Sequence, residues 1–215
     1  SEAGEVLMQD GMPRTIRVWG DVVGMHEISG IGNMGRTAAN GDWTYMPDRD
    51  KYNRNNNAVV RSLFNNLYGT LEYLVFRDFH TTLDGVTMNN TYSGVVRTAK
   101  EGSQIENCHV RDSEFYSMQY AGGLVAYASG ATIRNSSVRN VSVTTFRPDP
   151  NGTYTVEVGA LAGRLYNSII STSFAADVQV KVPDVYATNG IGALAGWVYG
   201  TVMEGCYSTG SIDAY

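Results

Sequence analysis

The pentapeptide GALAG occurs twice, at residues 159–163 and 192–196, and a looser copy, GGLVA, occupies residues 122–126. When the chain is aligned on the apolar residue at the centre of this block, five segments emerge with spacings of 32, 29, 37 and 33 residues. Self-similarity at a period of about 20–50 residues indicates a repeat architecture. The central residues of the predicted repeats are Leu63, Val95, Leu124, Leu161 and Leu194.

Each segment also carries three later apolar positions, separated by Gly, Asn and Ser. The residues aligned at these positions are Leu71, Ile105, Ile133, Ile169 and Val202, then Phe76, Val110, Val138, Phe174 and Tyr207, and last Phe79, Phe115, Val143, Val180 and Ile212. Alternation with a period of two, as in DVQVKV, predicts strands. About three short strands per repeat are too few for a propeller blade of four antiparallel strands. The prediction is therefore an all-β parallel β-helix, with one coil for each repeat of about 32 residues.

The predicted organisation is a single continuous domain in two parts. Residues 1–58 are expected to form one or more irregular coils and a long polar loop at 32–57, and residues 59–215 to form the five-repeat β-helix. Because the last repeat lacks a polar cap and a solenoid end exposes strand edges, we expect further domains of the same polypeptide.

Composition disfavours two classes of partner. The charged residues make up 17% of the chain, the net charge is −5 and there are only three lysines, so we expect no nucleic-acid binding. No apolar run approaches the roughly 20 residues of a membrane span, so we expect no membrane insertion. Cys108 and Cys206 fall three coils apart in the alignment and are predicted to be free thiols.

The GGLVA and GALAG blocks, followed by strands such as ATIRNSSVRNVSV and MEGCYSTGSI, resemble the bacterial GLUG repeat. The likeness covers residues 59–215 and is greatest to the N-terminal β-helical region of immunoglobulin-A-cleaving zinc metallopeptidases. The first two segments, SLFNN and SGVVR, depart from the motif. The resemblance implies a right-handed β-helix in a secreted or cell-surface bacterial protein, and it transfers no reaction.

The sequence contains no complete catalytic or metal-binding motif. HEISG at residues 26–30 begins like a zinc-protease helix, but Gly30 stands where the second histidine is required. His26, His80 and His109 are isolated in sequence and are interpreted as structural or surface residues. Paired carboxylates on adjacent coils could hydrolyse a polysaccharide. The candidate carboxylates are Asp78, Asp112, Glu114, Asp177 and Asp213. An exposed ladder in which outward Asp side chains alternate with Arg77, Arg111 and Arg139 explains them without catalysis.

The sequence therefore predicts a non-catalytic β-helical module for adhesion or recognition of a host protein or glycan, located extracellularly or on the bacterial surface, with no cofactor and no metal. Two alternatives remain open: the substrate-recognition region of a large zinc metallopeptidase, and a carbohydrate-active β-helix enzyme. The candidate ligand contacts, chosen because aromatic and Arg side chains often anchor interfaces, are Trp43, Tyr45, Arg49, Tyr52 and Arg54.

Overall fold

The computed structural model of the protein describes residues 62–214, except 63, 78, 80–91, 118, 146–154 and 184–187, together with the backbone of five earlier strands. Every regular element in these parts of the chain is a β-strand. The early strands are β1 (Glu5–Gln9), β2 (Met12–Arg17), β3 (Asp21–Val23), β4 (Met34–Arg36) and β5 (Trp43–Tyr45).

The remaining strands are grouped into a partial first coil and four coils of four strands each. The partial coil holds β6 (Phe64–Leu67), β7 (Thr70–Glu72) and β8 (Val75–Arg77). The second and third coils hold β9 (Tyr92–Ser93), β10 (Val96–Ala99), β11 (Gln104–Glu106), β12 (His109–Ser117), β13 (Tyr120–Ala121), β14 (Val125–Ser129), β15 (Thr132–Arg134) and β16 (Ser137–Thr145). The fourth and fifth coils hold β17 (Val156–Gly159), β18 (Ala162–Tyr166), β19 (Ile169–Ser171), β20 (Phe174–Val182), β21 (Thr188–Gly192), β22 (Ala195–Tyr199), β23 (Val202–Glu204) and β24 (Tyr207–Ala214).

Strands at the same place in successive coils pair in parallel and build four sheets. Their orders are β6-β10-β14-β18-β22, β7-β11-β15-β19-β23, β8-β12-β16-β20-β24 and β9-β13-β17-β21. This parallel pairing confirms the predicted all-β, parallel β-helix, whereas an antiparallel propeller blade would pair strands within a repeat. The expectation of about three strands per repeat was wrong, because the two-to-five-residue strands β9, β13, β17 and β21 form a fourth sheet.

The early strands extend this stack. β2 pairs in parallel with β7, and β3 pairs in parallel with β8, so each continues a sheet of the first coil. β1 adds to β2 in an antiparallel hairpin. β4 and β5 pair with one another, within the segment that the sequence predicts as a long loop.

The predicted repeat centre is confirmed by the strand register. Val96, Val125, Ala162 and Ala195 are aligned across four coils, which stacks the preceding central residues on one another. Val95, Leu124 and Leu161 are buried, and Leu194 packs against the core from the last coil. Leu63 lies outside the described residues.

At two of the other apolar positions the predicted register is wrong in the last two coils. Ile133 is aligned with Ile170 and Met203, so Ile169 and Val202 point outward and are exposed. Val138 is likewise aligned with Ala175, and the rings of Phe174 and Tyr207 stack on the outer surface, 5.0 Å apart. The physical reason is that a pair of adjacent apolar residues, such as Ile169-Ile170, satisfies either face when only spacing is considered.

The corners of the coil use left-handed backbone at repeated positions. After the strands of the β7 sheet, Tyr73, Asn107, Asn135, Thr172 and Gly205 all have positive φ. A second row, inside the long strands, consists of Asp112, Asn140, Asp177 and Gly210. Glycine, asparagine and aspartate tolerate this conformation best, which explains much of the Asn and Gly content.

Buried hydroxyl groups satisfy the backbone at the adjacent corner. The Ser136 Oγ accepts a hydrogen bond from the Cys108 N–H at 3.1 Å and donates to the Arg134 carbonyl at 2.7 Å. Ser173 repeats the pattern one coil later, accepting from the Ser136 N–H. Both cysteines are free, and three coil steps separate them, as predicted.

Candidate functional site: a corner groove

Two rows of outward side chains meet where the β9-β13-β17-β21 sheet turns into the β6-β10-β14-β18-β22 sheet. In the first row Tyr92, Tyr120 and Glu157 are in register. In the second row Tyr127, Arg164 and Trp197 are in register on β14, β18 and β22. We call these six residues the corner groove. It runs along the solenoid axis across four coils, with about 4.8 Å between neighbouring coils.

The small residues of the repeat bring these two sheets together. A Cβ atom on Gly163 would lie 2.8 Å from the Ala121 amide nitrogen and 2.9 Å from the Glu157 carbonyl oxygen. A Cβ atom on Gly159 would lie 2.5 Å from the Ala195 Cα in the next coil. Because real Cβ atoms do not approach backbone so closely, both ends of GALAG require glycine where the sheets meet. The recurring pentapeptide therefore shapes the groove as well as the core.

Arg164 lies at the centre of the groove and connects its two rows. Its Nε is 3.5 Å from Oε2 of Glu157, and its Nη1 donates a 3.2 Å hydrogen bond to the Tyr120 hydroxyl. Glu157 is 1% exposed, whereas 28% of the Arg164 side chain is accessible. A buried carboxylate is stable only when paired, so the ion pair fixes the guanidinium against the buried Glu157.

Aromatic rings surround this guanidinium. Its central carbon is 4.2 Å from the centroid of the Trp197 ring and 5.6 Å from that of Tyr127. Both distances are within the range for cation–π attraction. The Tyr120 ring lies 6.2 Å from Tyr127 and 4.7 Å from Tyr92, so the rings form one continuous set.

The end of the groove nearest the first coil is closed by Arg97, whose guanidinium lies 4.7 Å from the Tyr92 centroid. Burial raises the pKa of the Tyr92 phenol, with a smaller contribution from Tyr120. Burial also lowers the pKa of Arg97. Tyr92 is therefore a neutral hydroxyl at physiological pH, able both to donate and to accept a hydrogen bond.

At its other end the groove continues into three stacked rings. Trp197 stacks with Tyr199 at 5.7 Å, and Tyr199 stacks with Tyr166 at 5.5 Å with an interplanar angle of 8°. Tyr199 is 56% exposed. Such a set combines flat apolar faces with phenol, guanidinium and carboxylate groups that fix orientation, which suits binding of a ligand with both apolar faces and hydroxyl edges.

The structure does not test the ligand contacts predicted from sequence. Trp43 and Tyr45 lie in β5, of which only the backbone is described, and Arg49, Tyr52 and Arg54 lie outside the described residues. These five residues remain a prediction. His26 and His80 also lie outside the described residues.

The carboxylates considered for catalysis are distributed as follows. Asp78 is outside the described residues, and Asp112 accepts a 2.7 Å hydrogen bond from the Asn140 amide in the next coil. Asp177 follows Ala176, which is the partner of Arg139. Asp213 accepts a hydrogen bond from Gln179 at 3.3 Å, and Glu114 lies on the outer face of β12. Among the described residues, no group of three or more His, Cys, Asp or Glu side chains is arranged to hold a metal ion.

The corner groove was missed in the sequence, although a signal for it exists. Tyr127, Arg164 and Trp197 each stand three residues after the central leucine of their repeat. Their shared position in the repeat indicates that the three large side chains form one row on the outer surface. The pairing of Arg164 with Glu157 joins two different sheets and has no equivalent signal.

Comparison with known proteins agrees with this architecture. The stacked parallel coils define a β-solenoid protein. Residues 119–144, which span the third coil, match the family model for the GLUG motif, so the predicted resemblance to GLUG repeats is confirmed for this coil. No curated protein and no solved structure shows a significant match. In the described part of the chain, no helix has the length and apolar character needed to cross a membrane.

Proposed function

We propose that the chain is a non-catalytic recognition module of a secreted or cell-surface bacterial protein, and that it binds a host glycan in the corner groove. The observation that supports this proposal is the unbroken set of Tyr, Trp and Arg side chains across four coils. Solenoid proteins commonly use such extended faces to contact partners, because each coil adds one more equivalent contact position.

The chemistry of the groove favours a sugar chain as ligand. A pyranose presents an apolar C–H face and a rim of hydroxyl groups. The exposed ring of Tyr199, supported by stacking on Trp197 and Tyr166, can pack against the first. The Tyr92 hydroxyl and the Arg164 guanidinium can hydrogen-bond the second. Residues aligned along the axis suit a linear oligosaccharide better than a single sugar.

The side chain of Arg164 is also pre-organised for binding. Arg164 is held by Glu157, Tyr120 and Trp197. Little side-chain freedom is then lost when a ligand arrives, and ordering a free side chain would cost about 0.5–1.5 kcal/mol.

An array of host glycans tests the proposal. We expect the protein to bind a subset of oligosaccharides, and a Tyr120→Ala/Trp197→Ala variant to lose this binding. Tyr207→Ala is the matched control. Tyr207 is an exposed aromatic residue in the last coil, like Trp197, but it belongs to another sheet. Retention of all array signals by the double variant, or equal loss in the control, would contradict the assignment. Binding to unglycosylated host protein alone would exclude the glycan.

A further inference from the structure

A second outward row, on the β8-β12-β16 sheet, carries three arginines. Arg77, Arg111 and Arg139 are direct partners in the parallel register. Neighbouring positions in such a ladder are about 4.8 Å apart. Arg111 and Arg139 are exposed, and Arg77 is partly buried. We call these three residues the arginine row.

Stacking like charges in one row opposes folding, because side chains at directly opposed positions repel. The row ends in the fourth coil, where Ala176 is the partner of Arg139, and the Arg139 guanidinium lies 5.8 Å from the Phe174 ring. The corners supply some negative charge. Asp112 follows Arg111 and keeps its negative charge while it accepts the Asn140 amide hydrogen, and in the next coil the same position is the neutral Asn140.

The other outward side chains of β12 nearest to Arg111 add no positive charge, because Glu114 is a carboxylate and His109 is neutral. His109, two residues before Arg111, lies with its Nδ1 2.9 Å from the Ser137 hydroxyl. Its pKa is lowered, mainly by burial and secondarily by the Arg111 charge. At neutral pH this histidine adds a polar group to the surface and no further charge.

We infer that the arginine row binds a sulfated polysaccharide that lies along the solenoid axis. The planar guanidinium group forms paired hydrogen bonds to tetrahedral oxyanions, and repeated arginines along one line match repeated anionic groups on a linear chain. Because the net charge of −5 on the chain repels any polyanion at long range, the row must act through direct contacts between its guanidinium groups and the oxyanions. This site is separate from the corner groove and does not depend on the proposed function.

Surface plasmon resonance with a heparin-derived oligosaccharide tests the inference, with the chemically desulfated oligosaccharide as the comparison. We expect sulfate-dependent binding that falls at least tenfold in Arg111→Gln/Arg139→Gln. The slope of log affinity against log salt should fall by about one for each arginine removed. Arg134→Gln is the matched control, because Arg134 is exposed but lies on β15, opposite Glu106.

Three results would overturn the inference: equal binding of the double glutamine variant, equal binding of the desulfated chain, or tighter binding of duplex DNA than of the sulfated chain. Thermal unfolding of each variant establishes that it is folded, and Arg111→Lys/Arg139→Lys provides a folded reference that keeps the charge. The Arg111→Gln/Arg139→Gln variant should keep its binding of uncharged oligosaccharides in the corner groove, which separates the two sites.

Discussion

Arg164 and Glu157 join two sheets of the solenoid, with Nε of the arginine 3.5 Å from Oε2 of the carboxylate. The arginine projects from β18 and the glutamate from β17, and the chain between them is the GALAG corner. The same pentapeptide that turns the chain therefore places the two charges against each other. The GALAG corner therefore determines both the turn of the coil and the ion pair of the corner groove.

Glu157→Gln should destabilise the protein. The substitution leaves the size of the side chain nearly unchanged but removes the charge that stabilises Arg164. Because Arg164 keeps partial access to water, we expect a loss of about 1–3 kcal/mol in the free energy of unfolding. Urea unfolding measures this quantity. Glu204→Gln, at an exposed position, is the control and should change it by less than about 0.5 kcal/mol. Equal stability of the two variants would show that the ion pair does not hold the corner.

Adjacent isoleucines provide a direct test of the strand register. Ile170 is fully buried, whereas Ile169 is 43% exposed. We expect Ile170→Ala to cost about 2–5 kcal/mol by removing core volume, and Ile169→Ala to cost less than about 1 kcal/mol. Thermal or urea unfolding of the two alanine variants measures these losses of stability. The opposite order would mean that β19 is shifted by one residue.

These isoleucines also show which features of the fold can be predicted from the sequence and which cannot. The repeat, the parallel β-helix and the stack of Val95, Leu124 and Leu161 could be predicted, because one apolar residue recurs among glycines and alanines with no competing neighbour. The register of β19 and β20 could not, because apolar residues stand side by side there. The partnership of Glu157 with Arg164 depends on how two sheets approach each other, and periodicity within one strand does not report that approach.

Thr172→Asn should stabilise the protein. Thr172 has φ of 49°, a left-handed conformation that a β-branched residue adopts unfavourably, while Asn107, Asn135 and Gly205 fill the same corner in other coils. Replacing threonine by asparagine should therefore gain about 1 kcal/mol. The reciprocal change, Asn135→Thr, should lose a similar amount. Differential scanning calorimetry on both variants would reveal the paired shifts, and a fall in melting temperature for Thr172→Asn would contradict the corner assignment.

The two cysteines should differ in reactivity. Cys108 is fully buried, and this burial raises the pKa of its thiol to about 12. At about pH 8 only about one part in 10⁴ is thiolate, so alkylation should be very slow in the folded protein. Cys206 is partly accessible and should be modified first. Mass spectrometry after maleimide treatment distinguishes the sites, and Cys206→Ser serves as the control. Rapid labelling of Cys108 in that variant would show that the second coil opens.

The most direct test of the corner groove compares two tryptophans. Trp197 lies in the groove, whereas Trp43 represents the ligand contacts predicted from sequence alone. Isothermal titration with the strongest glycan from the array should give at least a tenfold weaker affinity for Trp197→Ala, a loss of about 1.4 kcal/mol. The affinity of Trp43→Ala should equal that of the unmodified protein. Unchanged binding by Trp197→Ala, with loss in Trp43→Ala, would contradict the account and move the binding surface to the N-terminal segment.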